Sequence, residues 1–218
     1  MQAIPCLRQS LAVFARSSGL KCLPSLLSIV ALPLSAARAD ATDPAIASVQ
    51  GFNDALLASM KSGKTVGAQA RFDKLKPSIE RAFELGTMIK YAVGPTWDTA
   101  SPADQKALTD AFERMTVAQY AGNFDSYSGE KFVVDPNVTV RGTDRYVSSK
   151  LVSKDDTVVF IYRLRQFGSS WKIIDILLEG SISQISVYRS DYSATIASGG
   201  PAALIKKINE VADKALRK

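Results

Sequence analysis

The strongest constraint on the fold is a change of period at Lys131. Before it, apolar residues recur at helical spacing. After it, β-branched and aromatic residues crowd four alternating segments: Lys131 to Val140, Tyr146 to Val152, Thr157 to Phe167 and Trp171 to Leu178. Gly142, Asp155-Asp156 and Gly168-Ser169-Ser170 separate them, so the spacing predicts an antiparallel four-stranded meander. In the third strand Val158, Phe160, Tyr162 and Leu164 share a face opposite Val159, Ile161, Arg163 and Arg165. In the fourth, Ile174, Ile176 and Leu178 are expected opposite Ile173, Asp175 and Leu177. The wholly apolar face should meet helices.

Those helices are legible on both sides of the sheet. Asp43-Pro44 caps a stripe of Ile46, Val49, Leu56 and Met60. Phe72, Leu75, Ile79, Ala82, Phe83 and Gly86 form a second, which Pro77 either kinks or divides. Leu85 to Val93 is apolar nearly all round and stops at Gly94-Pro95. Ser101-Pro102-Ala103-Asp104 opens a helix lined by Leu108, Ala111, Phe112, Met115, Ala118 and Gly122, ending over Ser126 to Glu130. After Gly180-Ser181 ends the sheet, Ser181 to Ala197 begins extended and turns helical. Gly199-Gly200-Pro201 then precedes a last helix lined by Leu204, Ile208, Val211 and Ala215. Helices, then sheet, then helices make an α+β protein.

Residues 1–39 are set apart. Arg8, Arg16 and Lys21 precede the apolar run Cys22 to Leu34, and Ala37-Arg38-Ala39 follows, which is the pattern of a cleaved secretory signal. Its loss would leave 40–218 as one domain: a helical part over 40–130, the sheet over 131–180 and C-terminal helices over 181–218. It would remove Cys6, Cys22 and four basic residues, lowering the bases from 27 to 23 against 21 acids. So balanced a charge predicts no nucleic-acid partner, and a chain without thiols no disulfide or thiolate chemistry.

The chain contains no histidine, which removes His-based triads, His general bases and His-ligated metals. Ser62-Gly63-Lys64-Thr65 imitates the end of a phosphate-binding loop but has Ala58 where glycine is needed. Ser169-Ser170-Trp171-Lys172 matches S-x-x-K, yet lies in a hairpin turn instead of at a helix start. Glu80 with Glu84 and Asp155 with Asp156 read as a solvated helix face and a turn, and Asn137-Val138-Thr139 is a glycosylation-type triplet of low specificity. No reaction is selected, and no cofactor is called for. Met88, Ile89, Tyr91, Val93, Trp97, Phe112, Met115, Phe160, Tyr162, Leu164, Ile174, Ile176 and Leu178 remain. They can close on one another as an ordinary core, the usual fate of such residues, or enclose an apolar ligand.

Several stretches look familiar together: Arg71-Phe72-Asp73-Lys74-Leu75, Phe83 to Met88 leading to Val93-Gly94-Pro95-Thr96-Trp97, Tyr120 to Glu130, and Trp171 to Ile205. The set resembles the MlaC family, also called the toluene-tolerance auxiliary family. The stretches 123–130 and 181–192 are similar to its hopanoid-associated branch, HpnM. Relatives often carry Gly-Val-Ser and Asn-Tyr-Arg where this chain has Gly180-Ser181-Ile182-Ser183 and Val187-Tyr188-Arg189, a departure that points to the hopanoid branch. The resemblance implies a periplasmic carrier moving a lipid, hopanoid or phospholipid, between inner and outer membranes. Its implied partners are an ABC-type transporter and an outer-membrane assembly. It further implies a nuclear-transport-factor-like sheet joined to a helical subdomain, with acyl chains held between them. The expected lining is Met88, Ile89, Val93, Trp97, Phe112, Met115, Phe160, Tyr162, Leu164, Ile174, Ile176 and Leu178. Gly94, Gly180, Gly199 and Gly200 are candidate flexing points against their ordinary use in turns, and Arg163 and Arg165 candidates for headgroup or partner contact against solvated charges. Two other classes stay open: an enzyme acting on an apolar substrate through Tyr162, Asp175 or Glu179, and an adaptor with a filled core.

Overall fold

A computed structural model describes residues 43–217; the expected signal segment, with Cys6 and Cys22, lies outside the described residues. The fold is α+β, an antiparallel sheet packed against helices. α1 (Pro44–Ser62) starts where the Asp43 carboxylate accepts a hydrogen bond from the Ala45 amide at 2.9 Å. After a 3-10 turn (Lys64–Val66), α2 (Ala68–Ala82) runs unbroken through Pro77. Phe83 is extended and forms a single parallel bridge with Ile173 before α3 (Leu85–Val93) and the short α4 (Thr96–Thr99). α5 (Pro102–Asn123) is capped by Ser101, whose hydroxyl accepts from the Asp104 amide at 3.1 Å.

The sheet follows in chain order: β1 (Lys131–Arg141), β2 (Asp144–Val152), β3 (Thr157–Phe167), β4 (Ser170–Leu178) and β5 (Ile182–Ser183). It has five strands, not the expected four. Glu179 and Gly180, both at positive φ, turn the chain so that Ile182 pairs with Leu178 and Ser183 with Leu177. The sheet thus continues past Gly180-Ser181, where the sequence pattern ends it.

α6 (Gln184–Leu216) departs from helical geometry at Gly200 (φ 62°, ψ −160°), within the expected Gly-Gly-Pro break. Lys207 donates from Nζ to the Asp191 carbonyl at 2.7 Å and the Thr195 hydroxyl at 3.1 Å, so the segments on either side of Gly200 fold back on each other. α1 lies against β1, β2 and β4; α2 packs beside it and α5 against α2, and α6 pairs with α5 and α3.

α1 also runs along the inner face of the sheet. At its start Asp43 is 3.3 Å from the Arg145 guanidinium, and Ser48 donates to the Trp171 carbonyl at 2.8 Å. Midway, Asn53 meets Ser149 and Tyr162. Near its C-terminus Ser59 donates to the Phe124 carbonyl.

One expected face assignment is corrected. The β3–β4 register shifts so that Arg163 faces Asp175 but Leu164 faces Ile173, making Ile174 the extra residue of a bulge. Ile173, not Ile174, joins the core with Ile176; Ile174 is fully buried but outside that cluster.

Candidate functional site

The inner face is covered unevenly. Along β3 the exposed fraction rises from 0% at Leu164 through 2% at Tyr162 to 8% at Phe160, and Val158 is only half-buried. The same order holds from Val147 to Leu151 in β2 and from Ile173 through Ile176 to Leu178 in β4. Register aligns these residues in rows: Phe132, Leu151 and Val158 form the outermost, and Val134, Ser149, Phe160 and Leu178 the next. Across β2, β3 and β4 the cover of the apolar face is therefore tightest at the Leu164 and Ile173 end and thinner toward Val158 and Leu178, while at the edge strand β1 the order reverses, with Val140 of the Leu164 row 56% exposed. At the tighter end Phe83 bridges Ile173, and the Glu84 amide donates to the Ile173 carbonyl at 2.9 Å.

Aromatic rings carry the thinly covered end into the helices. Phe132 of β1 stacks on Phe124, which lies next to Tyr120 on α5; Tyr120 meets Phe52 of α1 edge-on at 5.2 Å between ring centroids. Desolvation pushes the Tyr120 phenol well above its ordinary pKa, although the residue retains accessible surface.

Within this face Tyr162, Asn53 and Ser149 are paired, and Asp175 lies on the opposite face, in register with Arg163. The Tyr162 hydroxyl donates to Asn53 Oδ1 at 3.2 Å, Asn53 Nδ2 donates to Ser149 Oγ at 2.9 Å, and burial raises the Tyr162 pKa. The Asp175 carboxylate accepts from the Ser183 hydroxyl at 2.6 Å and from the amides of Ile176 and Ile185. Since Ser183 is the N-cap of α6, Asp175 anchors the start of that helix. Glu179 is exposed in its turn. Tyr162, Asp175 and Glu179, the set named for catalysis, are thus separately placed and do not converge. No cluster of metal-binding residues occurs among the described residues.

The twelve predicted lining residues divide into two groups. Phe160, Tyr162, Leu164, Ile176 and Leu178 share the inner sheet face, while Ile174 sits at the bulge. Met88, Ile89 and Val93 on α3, with Phe112 and Met115 on α5, are buried among helices. Phe112 packs edge-on against Tyr188 of α6, Met115 touches Tyr192, and Trp97 lies half-buried against the core. Sequence reasoning passed over Phe132, Val134, Leu151, Tyr120 and Phe124. The β1 and β2 residues carried a usable signal in their alternation. Arg163 and Arg165 are not free: both bind Asp144, and Arg165 also donates to the Tyr91 hydroxyl at 2.9 Å. Among the described residues, no helix is long and apolar enough to cross a membrane.

Comparison with known proteins adds two findings. The family model "MlaC protein" matches residues 50–210. A solved structure of a phospholipid-binding protein from Ralstonia solanacearum, in complex with a phospholipid, superposes with a TM-score of 0.69 at 23% identity, covering 78% of this chain and 98% of that one. At that identity the likeness shows a shared fold. No curated protein matches the chain.

Proposed function

The chain belongs to the MlaC protein family, and from that premise we propose that it is a carrier holding a lipid's hydrocarbon against the inner face of its sheet. The observation that carries this reading is the graded cover of the apolar face across β2, β3 and β4, tight at Leu164 and Ile173 and thinner toward Val158 and Leu178. The structural likeness to a phospholipid-binding protein supports it. So does the absence of converging acid, base and nucleophile around the inward-facing residues.

Hydrocarbon burial supplies the driving force. Withdrawing about 15 methylenes from water at ~0.8 kcal/mol each is worth about 12 kcal/mol per chain before ordering costs. A lipid so held escapes the barrier to crossing water unaided. The sheet residues Phe160, Tyr162, Leu164, Ile176 and Leu178 are proposed as one wall. The helical group Met88, Ile89, Val93, Trp97, Phe112 and Met115, with the bulge residue Ile174, backs the cavity.

In finer terms, the carrier works in the periplasm after removal of residues 1–39, leaving 40–218 as one lipid-binding domain. It exchanges cargo with an ABC-type transporter and an outer-membrane assembly. The Gly180-Ser181-Ile182-Ser183 and Val187-Tyr188-Arg189 variants favour a hopanoid cargo of the HpnM branch over a phospholipid.

The deciding experiment is native mass spectrometry, with lipid extraction, on protein purified from its own cell envelope. Stoichiometric lipid is expected. Persistent absence of lipid, together with no uptake from vesicles, refutes the carrier. Phe160→Asp or Ile176→Asp should abolish loading in protein whose circular dichroism is unchanged, because a carboxylate there meets hydrocarbon. Ser169→Ala, in an exposed turn, should load normally.

A further inference from the structure

Among the described residues, the Tyr120 hydroxyl is one that finds no hydrogen-bond partner in the protein. Tyr162 donates to Asn53, Tyr188 to Gln119 and Tyr192 to the Met115 sulfur. Tyr120, ringed by Phe52, Phe83 and Phe124, makes no hydrogen bond to any described residue. Tyr120 keeps accessible surface, so its hydroxyl can be reached from outside the protein, and a phenylalanine would fill the same aromatic nest without it. The position of the hydroxyl gives it a use. Phe124, the C-cap of α5, stacks on Phe132 of β1 and follows Tyr120 by four residues, so Tyr120 lies about one helical turn, roughly 5 Å, from that helix-to-sheet contact. When hydrocarbon lies against the sheet and the headgroup stays in water, the oxygen joining the two falls at the boundary between them, where an accessible hydroxyl among aromatic rings can meet it.

We propose that Tyr120 is a ligand-binding residue whose hydroxyl donates a hydrogen bond to the oxygen at the polar end of the lipid's hydrocarbon. This rests on the carrier reading and sharpens it: the cargo is an oxygen-bearing lipid, recognised at its linkage, and a bare hydrocarbon of the same shape binds less well. The acceptor is either the ester carbonyl of a diacyl lipid or the hydroxyl of a polycyclic alcohol, and a pair of lipids for each source tells them apart.

Wild-type protein and Tyr120→Phe are incubated with vesicles, and bound lipid is measured by mass spectrometry. The first pair is diacyl against dialkyl phosphatidylglycerol, since an ether oxygen is a poorer acceptor than an ester carbonyl. The second is a pentacyclic triterpene alcohol against the corresponding triterpene hydrocarbon, each in a dialkyl phosphatidylglycerol host. Wild type should favour the better acceptor about fivefold in one pair, the discrimination one neutral hydrogen bond supplies. Tyr120→Phe should take up both members of that pair equally, at the wild-type level for the poorer acceptor. A preference that survives in Tyr120→Phe, or no wild-type preference in either pair, overturns the proposal and leaves the carrier standing. Uptake of none of the four lipids overturns the carrier itself.

Discussion

The two ends of the inner sheet face have similar side chains and opposite surroundings. Leu164 and Ile173 at one end are fully buried; Val158 and Leu178 at the other are half-covered. Hydrophobicity alone cannot produce that difference. It comes from where the helices touch the sheet: the corner between α2 and α3 is fastened to β4 through Phe83 and Ile173, and the start of α1 is tied to Arg145 and Trp171. The other end has aromatic contacts with Phe124 at the end of α5 but, among the described residues, no equivalent backbone tie between helix and sheet. The lesson is that a binding surface can be made from core-type strands by leaving one end of the helical layer unfastened.

The largest expected effect tests this directly. Leu164→Ala removes side-chain packing from the tighter end and should cost about 3 kcal/mol. Leu178→Ala removes the same atoms from a half-covered site and should cost about 1 kcal/mol, because less burial is lost. Urea unfolding of lipid-free protein measures both. Equal losses would mean that the two ends are equally packed.

A second substitution asks on which side the thinly covered end is loose. Near the C-terminus of α5, a Cβ added to Gly122 would lie 2.7 Å from the Ala215 carbonyl oxygen of α6, a backbone atom that cannot swing aside. The α5 and α6 backbones are therefore in close contact here. Gly122→Ala should destabilise the protein by about 2 kcal/mol through overpacking. A neutral result would show that the α5–α6 seam yields easily, and the looseness would belong to the helices.

Much of this was legible in the sequence, and the failures have identifiable causes. Helix caps at Asp43 and Ser101, the shift to alternation at Lys131 and the Gly-Gly-Pro break are local signals, readable without tertiary context. The bulge was not, because Ile173 and Ile174 are adjacent and identical, so either can be placed inside without changing the pattern. β5 escaped because two residues are too few to show a period; its place follows from the Glu179-Gly180 turn and from Asp175 holding Ser183. Tyr120 escaped because α5 buries more than one face. The stripe through Leu108, Ala111, Met115 and Gly122 hides a second, through Thr116, Tyr120 and Phe124, that turns toward the sheet. The gradient along β3 lay beyond reach, since strand periodicity reports which face is covered and says nothing about how far along.

The smallest expected effect approaches the tighter end from the opposite face of the sheet. Asp144 pairs with Arg165 in register, and its carboxylate binds Arg163 and Arg165. Burial by itself would raise the Asp144 pKa, but the hydrogen bonds from Arg165 and Arg163 outweigh it and hold the folded value below the ordinary 3.8. The sign follows from linkage. A carboxylate whose folded pKa is depressed contributes stability in full above its unfolded pKa. That contribution fades as pH falls from near 3.8 toward the lower folded value and is gone below it. Because this pair clamps β2 to β3 beside Leu164, acid should release the tighter end before the rest of the sheet. Hydrogen exchange between pH 5 and pH 3 should show protection falling first at residues 144–147 and 163–165, while residues 149–151 and 158–160 change less. In Asp144→Asn the carboxylate is absent, so the ordering should vanish and the acid slope of stability should flatten. If both ends lose protection together in wild type, the clamp is not what holds that end, and the helix contacts at Ile173 do so alone.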